Sequence, residues 1–150
     1  RSKIMSKTEE FLTKAEEQEI VEAIVIAEKN TSGEIRVHIE ENSTKSPVER
    51  AQEVFHLLKM DETELKNGVL FYICMLSKSF AVIGDKGIND LVEPNFWNST
   101  KDHVIEKFKE GKYKDGLVNG ILEAGEQLKK HFPYNHEEDT NELSNEISRG

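Results

Sequence analysis

The stretch that decides the fold is Gly68-Val-Leu-Phe-Tyr-Ile-Cys-Met-Leu76, which is apolar at almost every position. A strand that is apolar on both alternating faces is typical of a central strand covered on both sides. Ser77-Lys78-Ser79 follows and is long enough only for a hairpin turn, so Phe80-Ala-Val-Ile83 is predicted to pair with it in the antiparallel direction. This second strand is expected to stop at Gly84-Asp85-Lys86-Gly87. The single cysteine, Cys74, is expected to be a buried free thiol.

Upstream of this hairpin, two capping boxes mark helix starts. Thr13-Lys14-Ala15-Glu16 opens a helix predicted to run to about Lys29, and Ser46-Pro47-Val48-Glu49 opens another that ends near Met60. Between them, residues 34–40 alternate strictly between apolar and polar side chains. This pattern predicts a strand whose polar face, Glu34, Arg36, His38 and Glu40, is wet or partly wet.

The connections predict the sheet topology and therefore which residues meet. A helix joins the first two strands, so these strands should be parallel with a right-handed crossover, and the hairpin makes the third antiparallel. Downstream, the sequence predicts a helical turn at residues 88–92 and helices at about 100–110 and 113–132. The fold class is therefore α/β with a small mixed sheet. The starts of the first two strands and the end of the third should lie at one end of the sheet.

Acidic residues from separate loops converge at that end. Glu34, Asp61 and Asp85 are predicted to lie there, with Asp90 about one helical turn beyond Asp85. Oxygen-only ligands of this kind suit hard cations, so a Ca²⁺ or Mg²⁺ site with these four residues as metal ligands is the sequence-based hypothesis.

Two alternatives stay open. In the first, Asp85 and Asp61 only cap helices, and Glu34 points to solvent. In the second, a ligand binds beyond the carboxyl ends of the parallel strands, where Glu40, Glu41, Asn42 and Ser77 lie.

Chain length, net charge and hydropathy limit the classes of binding partner and the location that are expected for this protein. The 150 residues suit one domain, and 29 acidic against 20 basic side chains give a formal charge of -9. Such a field disfavours nucleic acid and favours cations as partners. No apolar stretch approaches the roughly 18 residues that span a bilayer, and the start lacks a signal-peptide core, so no membrane insertion and a cytoplasmic location are expected. Residues 1–7 are read as an expression remnant or a disordered start.

The last part of the chain is read as a tail. Beyond Pro133 the apolar periodicity is lost, and residues 133–150 are predicted to be an acidic flexible segment. It carries five acids, Glu137, Glu138, Asp139, Glu142 and Glu146. Leu143 and Ile147, four residues apart, leave open a short helix that docks onto an unidentified protein partner.

Four segments, taken in order, resemble the TPM domain family over roughly residues 8–132. They are Thr31-Ser-Gly-Glu-Ile-Arg-Val37, Lys66-Asn-Gly-Val-Leu-Phe-Tyr-Ile73, Phe80-Ala-Val-Ile-Gly-Asp-Lys-Gly-Ile88 and Phe108-Lys-Glu-Gly-Lys-Tyr-Lys-Asp-Gly-Leu117. The resemblance implies a three-layer α/β/α sandwich. It also implies divalent cation binding or, as in a plant thylakoid-lumen member, acid phosphatase activity.

Two functions of different classes follow. One is a cation-binding domain without catalysis, which could serve as an interaction module. The alternative is a metal-assisted acid phosphatase acting on phosphomonoesters, for which the cation would stabilise charge and Lys86 could hold a phosphate. No catalytic residue is assigned, because the chain carries no Walker loop, signature cysteine loop or Ser-His-Asp order.

Overall fold

The computed structural model describes residues 11–134 and 142–150. Within these ranges no helix is both long and apolar enough to cross a membrane. The predictions for residues 1–7 and for Glu137, Glu138 and Asp139 concern segments outside the described residues. The elements are α1 (Lys14–Glu28), β1 (Glu34–Glu40), α2 (Pro47–Leu57), a 3-10 turn (Met60–Glu62), β2 (Gly68–Cys74), β3 (Ser79–Gly84), α3 (Lys86–Asn89), α4 (Asn98–Lys109), α5 (Tyr113–His131) and β4 (Ser148–Arg149).

The described strands form one mixed sheet in the order β3-β2-β1-β4. β1 and β2 are parallel with Glu34 opposite Gly68, and β2 and β3 are antiparallel with Val69 opposite Gly84. The predicted directions of these three strands are therefore confirmed. Glu34, Gly68 and Gly84 lie at one end of the sheet, which we call the amino end because β1 and β2 start there.

A fourth strand was not predicted. Ser148 and Arg149 pair in the parallel direction with His38 and Ile39 of β1, so the sheet has four strands where the sequence predicts three. Ile147 packs against the main core, and residues 142–150 thus lie along the body of the protein. Without β4, β1 would be an edge strand with unpaired backbone groups, which gives a physical reason for this docking.

Strand alternation sorts the apolar side chains into two core clusters. The larger cluster contains Ile35, Val37 and Ile39 of β1 together with buried residues of α1, α4 and α5. The smaller contains Leu70 and Tyr72 of β2 with Ala51, Val54 and Phe55 of α2. Cys74 belongs to the smaller cluster and is a buried free thiol, as predicted.

The expectation of a wet face on β1 is wrong. Glu34, His38 and Glu40 are only 4%, 5% and 4% exposed, because α2 and residues 142–150 cover this face. Buried polar groups are tolerated when hydrogen bonds replace those made with water. Each of these three side chains has such partners, so the polar face of β1 lies inside the protein.

Candidate functional site

A cleft of about 550 Å³ lies beside the end of β3. We call it the Asp85 cleft. Gln52, Phe55 and His56 of α2 form one wall, and the end of β3 with the segment that follows forms the other. The lining residues of that second wall include Gly84, Asp85, Lys86, Asn89, Asp90 and Trp97.

Asp85 is fixed in the cleft by its backbone and by half of its carboxylate. Its backbone N–H donates to the Gly68 carbonyl oxygen at 2.9 Å. Its Oδ1 accepts from the Lys86 backbone N–H at 2.7 Å, which caps the start of α3. Its Oδ2, by contrast, is buried and accepts no hydrogen bond from residues 11–134 or 142–150. Burial of a polar atom without a partner costs about 1–3 kcal/mol, so the fold holds this oxygen at an energetic disadvantage.

Gly87 explains how closely the Asp85 loop approaches the preceding loop. The Gly87 N–H donates to the Lys66 carbonyl oxygen at 2.8 Å. A Cβ at position 87 would lie 2.3 Å from the Leu65 carbonyl oxygen and 2.5 Å from that of Lys66. Only glycine fits this contact. Gly87 therefore lets the loop that carries Asp85 pack against the backbone of Leu65 and Lys66.

Asp90 and Asn89 add oxygen atoms to the same cleft. Asp90 Oδ2 lies 2.6 Å from Lys86 Nζ in an ion pair whose side chains are both mostly exposed. Exposed pairs of this kind contribute little to stability, so Asp90 can exchange its partner at small cost. The Asn89 amide donates to the Gly84 carbonyl oxygen at 3.0 Å, which fixes the orientation of this side chain.

Two residues of the cleft were not identified from the sequence. The sequence favours core or rim packing for Trp97, and its side chain does pack against the main core, while its indole Nε1 is buried with no acceptor among the described residues. His56 Nδ1 lies 3.0 Å from Asp61 Oδ2. The position of His56 at the end of α2, five residues before Asp61, was a usable signal, since the topology places that loop at the amino end. Trp97 follows an irregular segment and carried no such signal.

The structure brings two of the four predicted ligands together. Asp85 and Asp90 line the cleft, and Asp61 reaches it only through His56. Glu34 lies on β1, with β2 between it and β3, and its Oε1 accepts from the Leu143 N–H at 2.5 Å. Among residues 11–134 and 142–150, no three His, Cys, Asp or Glu side chains stand close enough to hold a metal ion.

The two open alternatives can be compared with these positions. Asp85 does cap α3, as the first alternative has it. Asp61 lies inside the 3-10 turn with its Oδ2 beside His56, and Glu34 is buried rather than directed to solvent. Burial raises the pKa of Glu34, and the hydrogen bond from Leu143 opposes that rise.

The carboxyl end of β1, the second alternative, holds a saturated network. Arg50 donates from Nε to Glu40 Oε2 at 2.9 Å and from Nη2 to Oε1 at 3.0 Å. The Tyr72 hydroxyl donates to the same carboxylate, and His38 Nε2 lies 3.2 Å from it. Burial alone would raise the pKa of Glu40, but these partners outweigh it and hold the pKa at about 2. Glu40 thus has its acceptor sites occupied, and the network ties β1 to α2.

Comparisons with known proteins agree with this architecture. The profile of the TPM domain matches residues 5–127. The NMR structure of the BA42 protein from the psychrophilic bacterium Bizionia argentinensis superposes with a TM-score of 0.88 at 54% identity, covering 97% of this chain and 100% of that one. The N-terminal domain of a P. gingivalis protein superposes with a TM-score of 0.68 over 84% of this chain and 83% of its own, and its 16% identity supports the fold alone. No curated protein matches the chain.

Proposed function

We propose that this chain, which belongs to the TPM domain family, binds a hard divalent cation in the Asp85 cleft. The observation that carries the proposal is the buried Asp85 Oδ2, which accepts no hydrogen bond from the described residues, in a residue that lines the same cleft as Asp90. A bound cation would give this oxygen the partner it lacks. The formal charge of -9 favours the approach of cations to the molecule.

The donor set favours Mg²⁺ over Ca²⁺. Ca²⁺ takes about six to eight oxygen ligands, whereas Mg²⁺ keeps several waters and uses about one or two carboxylates. The cleft offers the carboxylates of Asp85 and Asp90, with Asp90 released from its exposed pair with Lys86. Glu34 and Asp61, the other two predicted ligands, would first have to give up Leu143 and His56. The proposal therefore assigns the cation to Asp85 and Asp90.

We also infer a three-layer α/β/α arrangement as the frame of the cleft. Its support is the separation of the two core clusters on alternating positions of β2, with α2 in one and α1, α4 and α5 in the other. In this frame α2 would form one wall of the cleft as well as one outer layer.

A titration of the isotope-labelled protein with MgCl₂ and then CaCl₂ tests the cation site. We expect saturable shifts at residues 84–90 and at the Trp97 indole N–H, and at least about tenfold weaker binding in Asp85→Asn, which keeps an N-cap side chain but loses the charge. Asp102→Asn, an exposed change on α4, is the matched control and should bind as the wild type does. Shifts confined to residues 142–150, or equal binding in Asp85→Asn, would contradict the proposal.

Metal-assisted hydrolysis of a phosphomonoester is the second candidate, and the donors of the cleft favour it. Trp97 Nε1 and Lys86 Nζ line the cleft beside Asp85, so they could donate to phosphate oxygens. His56, held by Asp61, could protonate the leaving alcohol as water attacks the phosphorus and the bridging P–O bond breaks.

Turnover of an alkyl phosphomonoester such as glycerol 2-phosphate, whose leaving oxygen needs a proton, separates the two functions when it is measured with Mg²⁺. A phosphatase should lose activity in Asp85→Asn and lose about tenfold or more in His56→Gln, in line with the usual contribution of a general acid. Saturable Mg²⁺ binding with no turnover above buffer would leave a cation-binding domain, which could serve as an interaction module.

A further inference from the structure

A second pocket, separate from the Asp85 cleft, lies between β1 and the C-terminal segment. Its volume is about 270 Å³, and we call it the Arg36 pocket. Arg36 supplies it from β1, the turn after α2 supplies Leu58, Lys59, Glu62 and Thr63, and the C-terminal segment supplies Glu142, Leu143 and Ser144. None of these residues lines the Asp85 cleft.

Arg36 differs from the other side chains on the polar face of β1, because its Nε has no acceptor among the described residues. Glu34, His38 and Glu40 each have at least one hydrogen bond, whereas the Arg36 Nε is buried without an acceptor. Within residues 11–134 and 142–150, no carboxylate forms an ion pair with Arg36. Guanidinium groups stay charged in proteins, so Arg36 presents a partly buried positive charge whose N–H donor faces no protein acceptor.

Thr63 gives an independent indication at the same pocket. It is 2% exposed, and its Oγ1 is buried with no hydrogen-bond partner in the described part of the chain. Ser144 Oγ accepts from the Glu146 N–H at 3.1 Å, which leaves the Ser144 hydroxyl proton to be donated elsewhere. The pocket therefore combines an unpaired guanidinium donor with two hydroxyl donors.

The acids of the pocket do not satisfy these donors. The Glu142 carboxylate accepts from the Glu64 N–H at 3.3 and 3.4 Å, and neither Glu62 nor Glu142 pairs with Arg36. The formal charges of Arg36 and Lys59 are balanced by those of Glu62 and Glu142, so bulk attraction of anions is weak. Selectivity would come instead from directed donors, which carboxylate and phosphate oxygens match best.

We propose that the Arg36 pocket binds a small oxyanion, the carboxylate or phosphate group of a ligand, between Arg36, Thr63 and Ser144. The volume lies just below the roughly 300–1,000 Å³ of pockets for drug-sized molecules, which restricts the bound part to a small group. Because Ser144 belongs to the C-terminal segment, the oxyanion fastens this segment to β1.

Titration with sodium phosphate and with sodium acetate, each against sodium chloride at the same ionic strength, tests the site in the full chain. The expected result is a saturable shift of the Arg36 Nε–H signal and of the Thr63 and Ser144 amide signals with phosphate, with acetate or with both. The more tightly bound salt identifies the chemical class. Equal shifts with chloride, or shifts that never saturate, would overturn the proposal.

Variants give the second part of the test. Arg36→Gln should weaken binding at least about tenfold, and Thr63→Val should weaken it roughly two- to tenfold, the loss expected for one hydrogen bond. Lys101→Gln removes an exposed positive charge from α4, serves as the matched control and should bind the oxyanion as the wild type does. If Arg36→Gln does not fold, the affinity of Thr63→Val and the Arg36 Nε–H signal of the wild type still show whether the oxyanion binds in this pocket. Wild-type affinity in Thr63→Val together with an unmoved Arg36 signal would refute the site.

Discussion

The two ends of the sheet hold their carboxylates in opposite ways. At the carboxyl end of β1, Glu40 is surrounded by donors from Arg50, Tyr72 and His38. At the amino end, Asp85 uses one oxygen to cap α3 and leaves the other buried without a donor. The same chemical group thus has a saturated environment at one end and an unsaturated one at the other.

This difference separates the structural role of Glu40 from the binding role that we propose for Asp85. A ligand at Glu40 would have to displace Arg50, whose two hydrogen bonds to the carboxylate already match its geometry. A cation at Asp85 displaces no protein group from Oδ2. Buried polarity alone therefore does not single out a candidate site in this protein, and the proposed cation site rests on a buried oxygen that the described residues leave without a donor.

Removing the Glu40 charge should give the largest loss of stability. Glu40→Gln removes the buried anionic partner of Arg50, which keeps only its more exposed pair with Glu53, and breaking a buried pair costs about 3–5 kcal/mol. The free energy of unfolding at neutral pH, measured with urea, checks this value. Because the pKa of Glu40 is lowered to about 2, the stabilisation is present above its unfolded pKa near 4.5 and is lost as the pH falls toward 2.

Glu41→Gln is the control for this change, since Glu41 is the next residue and is exposed. It should leave the unfolding free energy unchanged. A Glu40→Gln protein as stable as Glu41→Gln would mean that the network does not hold β1 and α2 together.

Altering the support of the Asp85 loop should have the next largest effect. Gly87→Ala places a Cβ against the backbone oxygens of Leu65 and Lys66, and such overpacking costs about 1–3 kcal/mol. We expect a lower thermal midpoint, with amide shifts concentrated at residues 65–66 and 84–90. Lys86→Ala changes the adjacent exposed residue and should leave the midpoint unaltered. A Gly87→Ala protein with wild-type stability and spectra would show that the close approach is not needed.

The satisfied end shows what the sequence does and does not reveal. The Thr13 capping box is present in the structure with both of its hydrogen bonds, and β1, β2 and β3 pair as the connections predict, because capping and periodicity are local signals. The partner of Glu40 is Arg50, which is ten residues away on α2. The alternating sequence pattern of β1 is therefore the same whether its polar face is exposed to water or covered by α2. β4 is two residues long and carries no periodic pattern.

The amino end of the sheet, where Asp85 lies, was predicted only in part, because the sequence shows the direction of the strands but not their order. Topology places Asp85, Asp61 and Glu34 at one end of the sheet, and this level of description follows from strand direction alone. To share a ligand, two residues must also lie on neighbouring strands of the sheet. β2 lies between β1 and β3, so Glu34 is displaced from Asp85 by about two strand spacings, roughly 10 Å. Trp97 lines the cleft from an irregular segment, in which the sequence has no helical or strand periodicity.

Glu28 is half-buried and accepts fewer hydrogen bonds from the described residues than Glu40 does, but its Oε2 has a donor, unlike the Oδ2 of Asp85. Neutralising Glu28 should raise the stability of the protein. Its Oε2 accepts from the Ile35 N–H at 2.7 Å. Burial raises its pKa to about 8, with that hydrogen bond opposing and the charge of Glu34 adding to the rise. Glu28→Gln should therefore stabilise the protein by about 2 kcal/mol at pH 8, less than the full shift implies because the hydrogen bond loses its charge.

The sign of the pH dependence provides the check for Glu28. A folded pKa above the unfolded value favours the folded state below about pH 4.5, and this advantage is lost as the pH rises through about 8. Glu28→Gln and wild type should thus converge near pH 4.5 and separate toward pH 8. Glu22→Gln, an exposed change on α1, should follow the wild type at every pH. Parallel curves for Glu28→Gln and wild type would contradict the raised pKa.

Neutralising Asp85 should have the smallest effect on stability, which is the sharpest test of the comparison. Asp85→Asn keeps a capping side chain for Lys86 and removes a buried oxygen that no donor satisfies, so we expect a change within about 0.5 kcal/mol in the absence of divalent cations. Mg²⁺ at about ten times its Kd should then stabilise the wild type by about 1.4 kcal/mol and Asp85→Asn not at all. Thermal unfolding with and without MgCl₂ measures both values. If Asp85→Asn cost as much as Glu40→Gln without the metal, Asp85 would be a structural carboxylate, and the two ends of the sheet would not differ in kind.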